Sequence, residues 1–263
     1  MSTNLPDLPR DIRAFLMGYQ GNATPGAFQG TGPSDNLKFY QNQLRCRPDR
    51  LLVEDALTQW KDDYDELEFN HGYIQWLFPI QEDGMNFLAQ RLTPYEISAM
   101  KADAQVMRRI VKSYTIMLEF YGMRLQSEET GLLGRALPPQ NYGTRYRNLL
   151  RTFHNNLRIT RILKCLSELG LERFNAAFLL HVLNEQSENA ELKSQDLQDS
   201  MDKWWANCIR DDYEREWVRH TIVKVRTGQL VFTRQMYEMA LEGRKLSGKF
   251  SDEVLDANAS NQV

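Results

Sequence analysis

Glu68 and His71 stand three residues apart, the spacing that puts two side chains on one side of a helix. A carboxylate beside an imidazole can share a hydrogen bond, move a proton or help hold a metal ion. Di-iron bundles use this spacing once in each of two helices, and no second such pair occurs here, so no metal site is expected. His154 is a further group of the same kind. Glu68, His71 and His154 are the residues an acid–base reaction would use. No nucleophile or cofactor motif accompanies them: there is no CxxC, no HExxH and no glycine-rich phosphate loop with its Lys-Ser/Thr. No cofactor is expected. A hydrogen bond between Glu68 and His71 is the plain structural account.

Two oppositely charged stretches flank these residues. Asp62, Asp63, Asp65, Glu66 and Glu68 lead into His71-Gly72-Tyr73-Ile74-Gln75-Trp76-Leu77-Phe78-Pro79. Read as a helix, this places Tyr73, Trp76 and Leu77 on one side, the pattern of core packing. The functional reading makes Phe69, Tyr73 and Trp76 an aromatic pocket beside carboxylates, suited to a peptide's ammonium and ring side chains. Between Arg135 and Ser167 there is no acidic residue, while Arg145, Arg147, Arg151, Arg158, Arg161 and Lys164 all lie there. An unbroken helix would line up Arg147, Arg151, His154, Arg158 and Arg161 on one face, to meet a phosphate, a carboxylate or a nucleic-acid backbone. The alternative is pairing with the acidic run or with Glu96, Glu119 and Glu172. Asn155 and Asn156 read as cap and turn residues. The two stretches are expected to meet at one cleft, a short zwitterionic peptide lying along it. Its ammonium would face Asp65 or Glu68, and its carboxylate Arg158 or Arg161. The candidate ligand-binding residues are thus Glu68, His71, Tyr73, Trp76, Arg147, His154, Arg158 and Arg161.

The elements that must position them are helices. Residues 93–121 carry the clearest periodicity: Ile97, Met100, Ala104, Met107, Val111, Tyr114, Leu118 and Tyr121, widened by Ile110, Met117 and Phe120. Thr93, Pro94 and Glu96 form an N-terminal capping signature. Lys101, Asp103, Arg108, Arg109 and Lys112 are expected to stay off the core line. One helix over this stretch would be roughly 42 Å long and would cross a domain of radius of gyration near ~18 Å. The other elements would then pack around it. A coiled coil would need more heptads, and a membrane span is excluded by the charges.

Further helices are expected over 9–19, 36–44, 51–60, 172–184, 194–210, 213–226 and 233–246. Two more fall between residues 140 and 169, broken at 154–156 with Asn156 as N-cap. Residues 21–35 and 123–139 read as glycine- and proline-rich loops. No alternation of strand length and no internal repeat is visible. The fold class is all-α: one globular domain of about eight to ten helices around a long central one. Residues 1–35 form an N-terminal helix and loop, 36–247 the helical domain and 248–263 a disordered tail.

With 263 residues, 42% hydrophobic and 25% charged, and a formal net charge of −3, the composition is that of a soluble globular protein. It is not that of a wholesale nucleic-acid binder. No 18-residue apolar run and no signal-peptide pattern occur. The three cysteines Cys46, Cys165 and Cys208 are scattered and odd in number, which points to reduced thiols and an intracellular setting. Cytoplasm and nucleus both fit, and peripheral membrane association stays compatible.

Three blocks of residues carry a resemblance. Leu67-Glu68, His71 and Tyr73 to Pro79 resemble the signature of the opioid growth factor receptor conserved region. Met117-Leu118, Phe120-Tyr121-Gly122 and Leu125 are similar to its second block. Arg147-Asn148-Leu149, the run from His154 to Lys164, and Glu168 to Glu172 are similar to its third. Asn36, Phe39-Tyr40 and Trp60 fit its beginning, so the resemblance covers roughly residues 10–185. The family's animal member is described as a receptor for the pentapeptide Met-enkephalin, acting at the nucleus to restrain growth and unrelated to seven-helix opioid receptors. Animal members also carry a longer C-terminal region with basic import signals and repeats, which this sequence lacks. The resemblance implies a non-enzymatic helical binding module for a short peptide. An anion or nucleic acid bound on the basic residues 135–164 is the second reading, and an anionic or protein partner fits either. An enzyme using Glu68, His71 or His154 is the third.

Overall fold

A computed structural model describes residues 7–19 and 33–256. Among these, the helices numbered in chain order are α1 (Arg10–Leu16), α2 (Asp35–Tyr40), α3 (Val53–Gln59), α4 (Tyr64–Phe69), α5 (Ile74–Leu77), α6 (Pro94–Ala102) and α7 (Ala104–Phe120). They continue with α8 (Tyr142–Arg151), α9 (His154–Glu168), α10 (Glu172–Ser187), α11 (Gln195–Lys203), α12 (Asp212–Arg226), α13 (Arg234–Ser247) and α14 (Glu253–Asp256). A 3₁₀ turn, Trp205–Cys208, follows α11. The helices outnumber the eight to ten expected because several are single turns and the longest expected one is divided. None of those described is long and apolar enough to cross a membrane.

The division falls at Asp103. Thr93 and Glu96 form the reciprocal capping box with Pro94 at the first turn, as expected. Asp103 is extended (φ −98°, ψ 103°), and its carboxylate accepts from the backbone N–H groups of Gln105 and Val106. It therefore ends α6 and caps α7. The orphan N–H groups of a new helix offered this aspartate more than an exposed mid-helix site would. After the break the buried face turns by about one residue: Val106, Arg109, Ile110, Ser113, Tyr114 and Met117 go inward. Ala104 is exposed and Met107 only half-buried. Arg109, expected on the solvent side, is buried and donates to the Tyr40 carbonyl and to Glu54, each at 2.7 Å. Glu96 caps two helices at once, since its carboxylate also accepts from the Asn36 and Leu37 N–H groups at the start of α2.

The helix at the centre is α10, not residues 93–121. Every residue from Phe174 to Gln186 is buried, as expected of a helix apolar on nearly all sides. Helices α9, α12 and α13 pack on it. Two short strands, β1 (Met123–Leu125) and β2 (Leu133–Arg135), pair antiparallel with Arg124 opposite Gly134. Three residues are too few for alternation to show in sequence. Gly131 makes the turn with φ +80°, and a Cβ there would lie 2.7 Å from the Arg173 carbonyl oxygen.

The break between α8 and α9 lies at Thr152 and Phe153 rather than at 154–156. Asn155 and Asn156 are buried within α9 and cap nothing. The chain beyond Ser247 also folds further than expected: Phe250 is buried and stacks on Trp217 with ring centroids 4.5 Å apart. Most of the expected loop 21–35 and residues 257–263 lie outside the described residues.

Candidate functional site

Helix α4 ends at Phe69, and its last carbonyls need donors. Arg158, one turn into α9, supplies them. Nη1 donates to Leu67 O (2.7 Å), and Nη2 donates to Glu68 O (3.1 Å) and Asn70 O (3.0 Å). The same Nη2 lies 3.0 Å from His71 Nδ1. A guanidinium can only donate, so this ring nitrogen accepts and the proton sits on Nε2. The guanidinium carbon lies 5.5 Å from the Tyr73 ring centroid. Arg158 thus joins the acidic–aromatic stretch to the basic one.

Glu68 closes the other side of the junction. Its Oε2 accepts from Asn148 (2.6 Å) and Asn155 (3.4 Å), and its Oε1 lies 2.7 Å from His154 Nε2, out of line with the ring N–H. The rings of His71 and His154 meet edge to face with centroids 5.1 Å apart. Burial lowers the His154 pKa below the usual imidazole value, the Arg158 guanidinium adds to this, and Glu68 opposes it.

His71, His154 and Arg158 form one end of a cleft of about 700 Å³, with Glu68 behind them and outside its lining. Its wall is one face of α9: His154, Leu157, Arg158, Arg161 and Lys164. The opposite wall is the 80–85 segment, with Asp11 of α1 and Trp204 closing the far end. Lys164 is 1% exposed and donates to Asp11 (2.9 Å) and Glu82 (2.7 Å), while Glu82 also accepts from Tyr19. Burial works against the Lys164 charge, but Glu82 and Asp11 outweigh it and raise the pKa. Asp83 is held by Arg91 through two hydrogen bonds.

Arg161 differs from its neighbours. Its Nε donates to Phe78 O at 2.8 Å, and among the described residues Nη1 and Nη2 have no partner. Burial pulls its pKa down to about 10, still leaving it charged at neutral pH. Gly84 lets the 80–85 backbone come close: a Cβ there would lie 3.0 Å from Arg161 Nη1 and 2.9 Å from Gln75 Nε2. At the mouth, Met85 is 87% and Leu157 61% exposed.

Of the expected site residues, the fold brings together Glu68, His71, His154, Arg158 and Arg161. Tyr73 and Trp76 are fully buried and line no part of the cleft; each already has a partner inside, Tyr73 OH at Leu67 O and Trp76 Nε1 at Arg47 O. Phe69 is exposed rather than part of a pocket with them. Arg147 lies on α8, where its guanidinium donates to Thr144, and the break before α9 takes it off the Arg158 face. Asp65 is exposed outside the cleft, and Asp62 borders a separate depression with Tyr64 and Arg145. The cleft's acids are instead Asp11, Glu82 and Asp83, which sequence reasoning missed; nothing in their own neighbourhoods marks them. Lys164 could have been found, since 154, 158, 161 and 164 follow the spacing of one helix face. Among the described residues no group of three or more His, Cys, Asp or Glu could hold a metal ion.

Residues 30–237 match the family description of the opioid growth factor receptor (OGFr) conserved region. The opioid growth factor receptor of Homo sapiens is 48% identical over 161 residues, which are 61% of this chain and 23% of that protein. The Mus musculus receptor is 49% identical over 154 residues, 59% of this chain and 24% of its own length. Opioid growth factor receptor-like protein 1 of Rattus norvegicus is 42% identical over 180 residues, 68% of this chain and 37% of its own length. The matched part is thus well under half of each of these relatives. No solved structure matches the chain.

Proposed function

The chain belongs to the opioid growth factor receptor conserved-region family, and from that premise we propose that it is a non-enzymatic module that binds a short peptide in the cleft between residues 71–85 and α9. The observation that carries this reading is the contact of His71 with Arg158 at the cleft's edge. It joins two stretches of opposite charge, distant in sequence, around a space of peptide size. Pockets of roughly 300–1,000 Å³ accept ligands of this class. The names of the relatives describe receptors for a growth factor, and the extension of that role to this chain is part of the proposal. An intracellular setting belongs to the same reading, supported by three buried free thiols.

The charge balance of the lining favours a peptide over a nucleic acid. Arg158, Arg161 and Lys164 are offset by Asp11, Glu82 and Asp83, whereas a phosphate backbone is drawn to uncompensated positive charge. For an enzyme, Glu68 and His154 are close enough to exchange a proton, but Thr160, the one hydroxyl residue among the described residues lining the cleft, donates to the Asn156 carbonyl.

Titration calorimetry with Tyr-Gly-Gly-Phe-Met tests the reading. Heat of binding is expected below millimolar peptide, and Trp204→Ala should weaken it several-fold by removing apolar contact. Trp76→Ala reports on the core instead. No heat at millimolar peptide removes the proposal.

A further inference from the structure

The polar groups of the cleft are unevenly occupied. Of the lining acids, Glu82 and Asp11 are taken by Lys164 and Asp83 by Arg91, while Glu68, behind the lining, is shared among Asn148, Asn155 and His154. Arg158 spends its donors on three backbone carbonyls, Asn155 and His71. Among the described residues lining the cleft, Arg161 alone is a cation whose terminal nitrogens meet no protein acceptor. Its Nε bond to Phe78 O fixes the direction of the fork, and Gly84 keeps the facing backbone close and bare of side chain.

From this asymmetry we propose that the cleft is a carboxylate receptor: Arg161 grips the C-terminal α-carboxylate of a peptide through its two free Nη groups, and the terminal apolar side chain rests on Leu157, Met85 and Trp204. This deepens the peptide reading and rests on the same cleft. Three arguments select the ligand class. A planar fork matches a carboxylate with two parallel hydrogen bonds. A single available cation among three carboxylates suits a monoanion and disfavours a phosphate dianion. The apolar rim beside Arg161 suits a carboxylate attached directly to a carbon bearing an apolar side chain. The ammonium end, by contrast, meets no free carboxylate among the described residues lining the cleft. N-acetylated and free-amine peptides should therefore bind alike, whereas amidation of the C-terminus should not be tolerated.

The test is a ¹⁵N NMR titration following the Arg161 Nε–H signal, with N-acetylmethionine, N-acetylmethioninamide, N-acetylaspartic acid α-amide (which carries only the side-chain carboxylate) and inorganic phosphate as separate probes. N-acetylmethionine should shift the signal saturably and bind roughly tenfold or more tighter than its amide. Arg161→Gln should erase that preference, and Arg161→Lys should keep part of it. Equal binding of acid and amide overturns the proposal, as does a preference that survives Arg161→Gln. Phosphate or the side-chain carboxylate binding as well as N-acetylmethionine overturns the α-carboxylate assignment. Should Arg161→Gln fail to fold, the wild-type comparison of acid with amide decides alone. The two readings separate cleanly. Binding of N-acetylmethionine without binding of Tyr-Gly-Gly-Phe-Met keeps the subsite and removes the pentapeptide, while equal binding of that pentapeptide and its C-terminal amide does the reverse.

Discussion

Arg158 shows how much one side chain can hold. It is 5% exposed and donates to three carbonyls at the end of α4. Arg158→Leu should lower the unfolding free energy by about 3 kcal/mol, because it strands Glu68 O and Asn70 O, while Leu67 O keeps the Tyr73 hydroxyl. Arg158→Lys should recover little, since one ammonium cannot reach a spread of acceptors that a fork spans. Urea denaturation of the two variants checks this, and near-wild-type stability for Arg158→Leu would contradict the stapling role. The sequence showed two stretches expected to share a cleft, but their contact runs from Arg158 to backbone carbonyls and His71 Nδ1 rather than to the acidic side chains. For Tyr73 and Trp76 the spacing gave the pattern of core packing, which their burial matches, and left an aromatic pocket open beside it. Aromatic side chains three residues apart look the same facing a core or a ligand. What decides is whether their polar atoms find partners inside, as these do at Leu67 O and Arg47 O.

At the scale of the element, periodicity marked most helices but misjudged where one stops and the next begins. The stripe from Ile97 to Tyr121 is nearly continuous across Asp103 only because a cap residue costs one position and the apolar face shifts by about one. The consequence is a testable difference between neighbours. Ile110 is fully buried and Met107 half-buried. Ile110→Asp should unfold the domain or cost several kcal/mol, the penalty for an unpaired charge in the core. Met107→Asp should leave the protein folded at room temperature. Thermal melts read by circular dichroism separate the two, and the reverse order would return Met107 to the core face. Helix α10 was the opposite case. Its apolar content around the whole circumference gave no face to read, and that uniformity was itself the sign of a central helix.

The whole molecule closes around that helix, and one polar network crosses the closure. His181 on α10 is fully buried, with Nε2 3.1 Å from the Tyr146 hydroxyl of α8 and Nδ1 without a partner among the described residues. Glu185, one turn along, is gripped by Arg135 of β2, and the ring of Tyr237 from α13 lies beside His181. Burial lowers the His181 pKa to about 3, with Arg234 and Arg135 adding to the effect. The folded protein therefore keeps this imidazole neutral while the unfolded chain protonates it near its ordinary value of about 6.5. Below that pH the unfolded state binds more protons, so stability present above pH ~6.5 is lost as pH falls toward 3, at up to about 1.4 kcal/mol per pH unit. His154, whose pKa is also lowered, contributes with the same sign, discounted by its partial exposure. Urea melts at pH 7, 6 and 5 stay above most carboxylate titrations. Wild type should lose stability across them. His181→Gln, which can still bond Tyr146, should show a shallower slope whatever its absolute stability, and a further drop in slope should follow when His154→Gln is added. A slope unchanged by His181→Gln would mean that the ring is not held neutral at the centre of the fold.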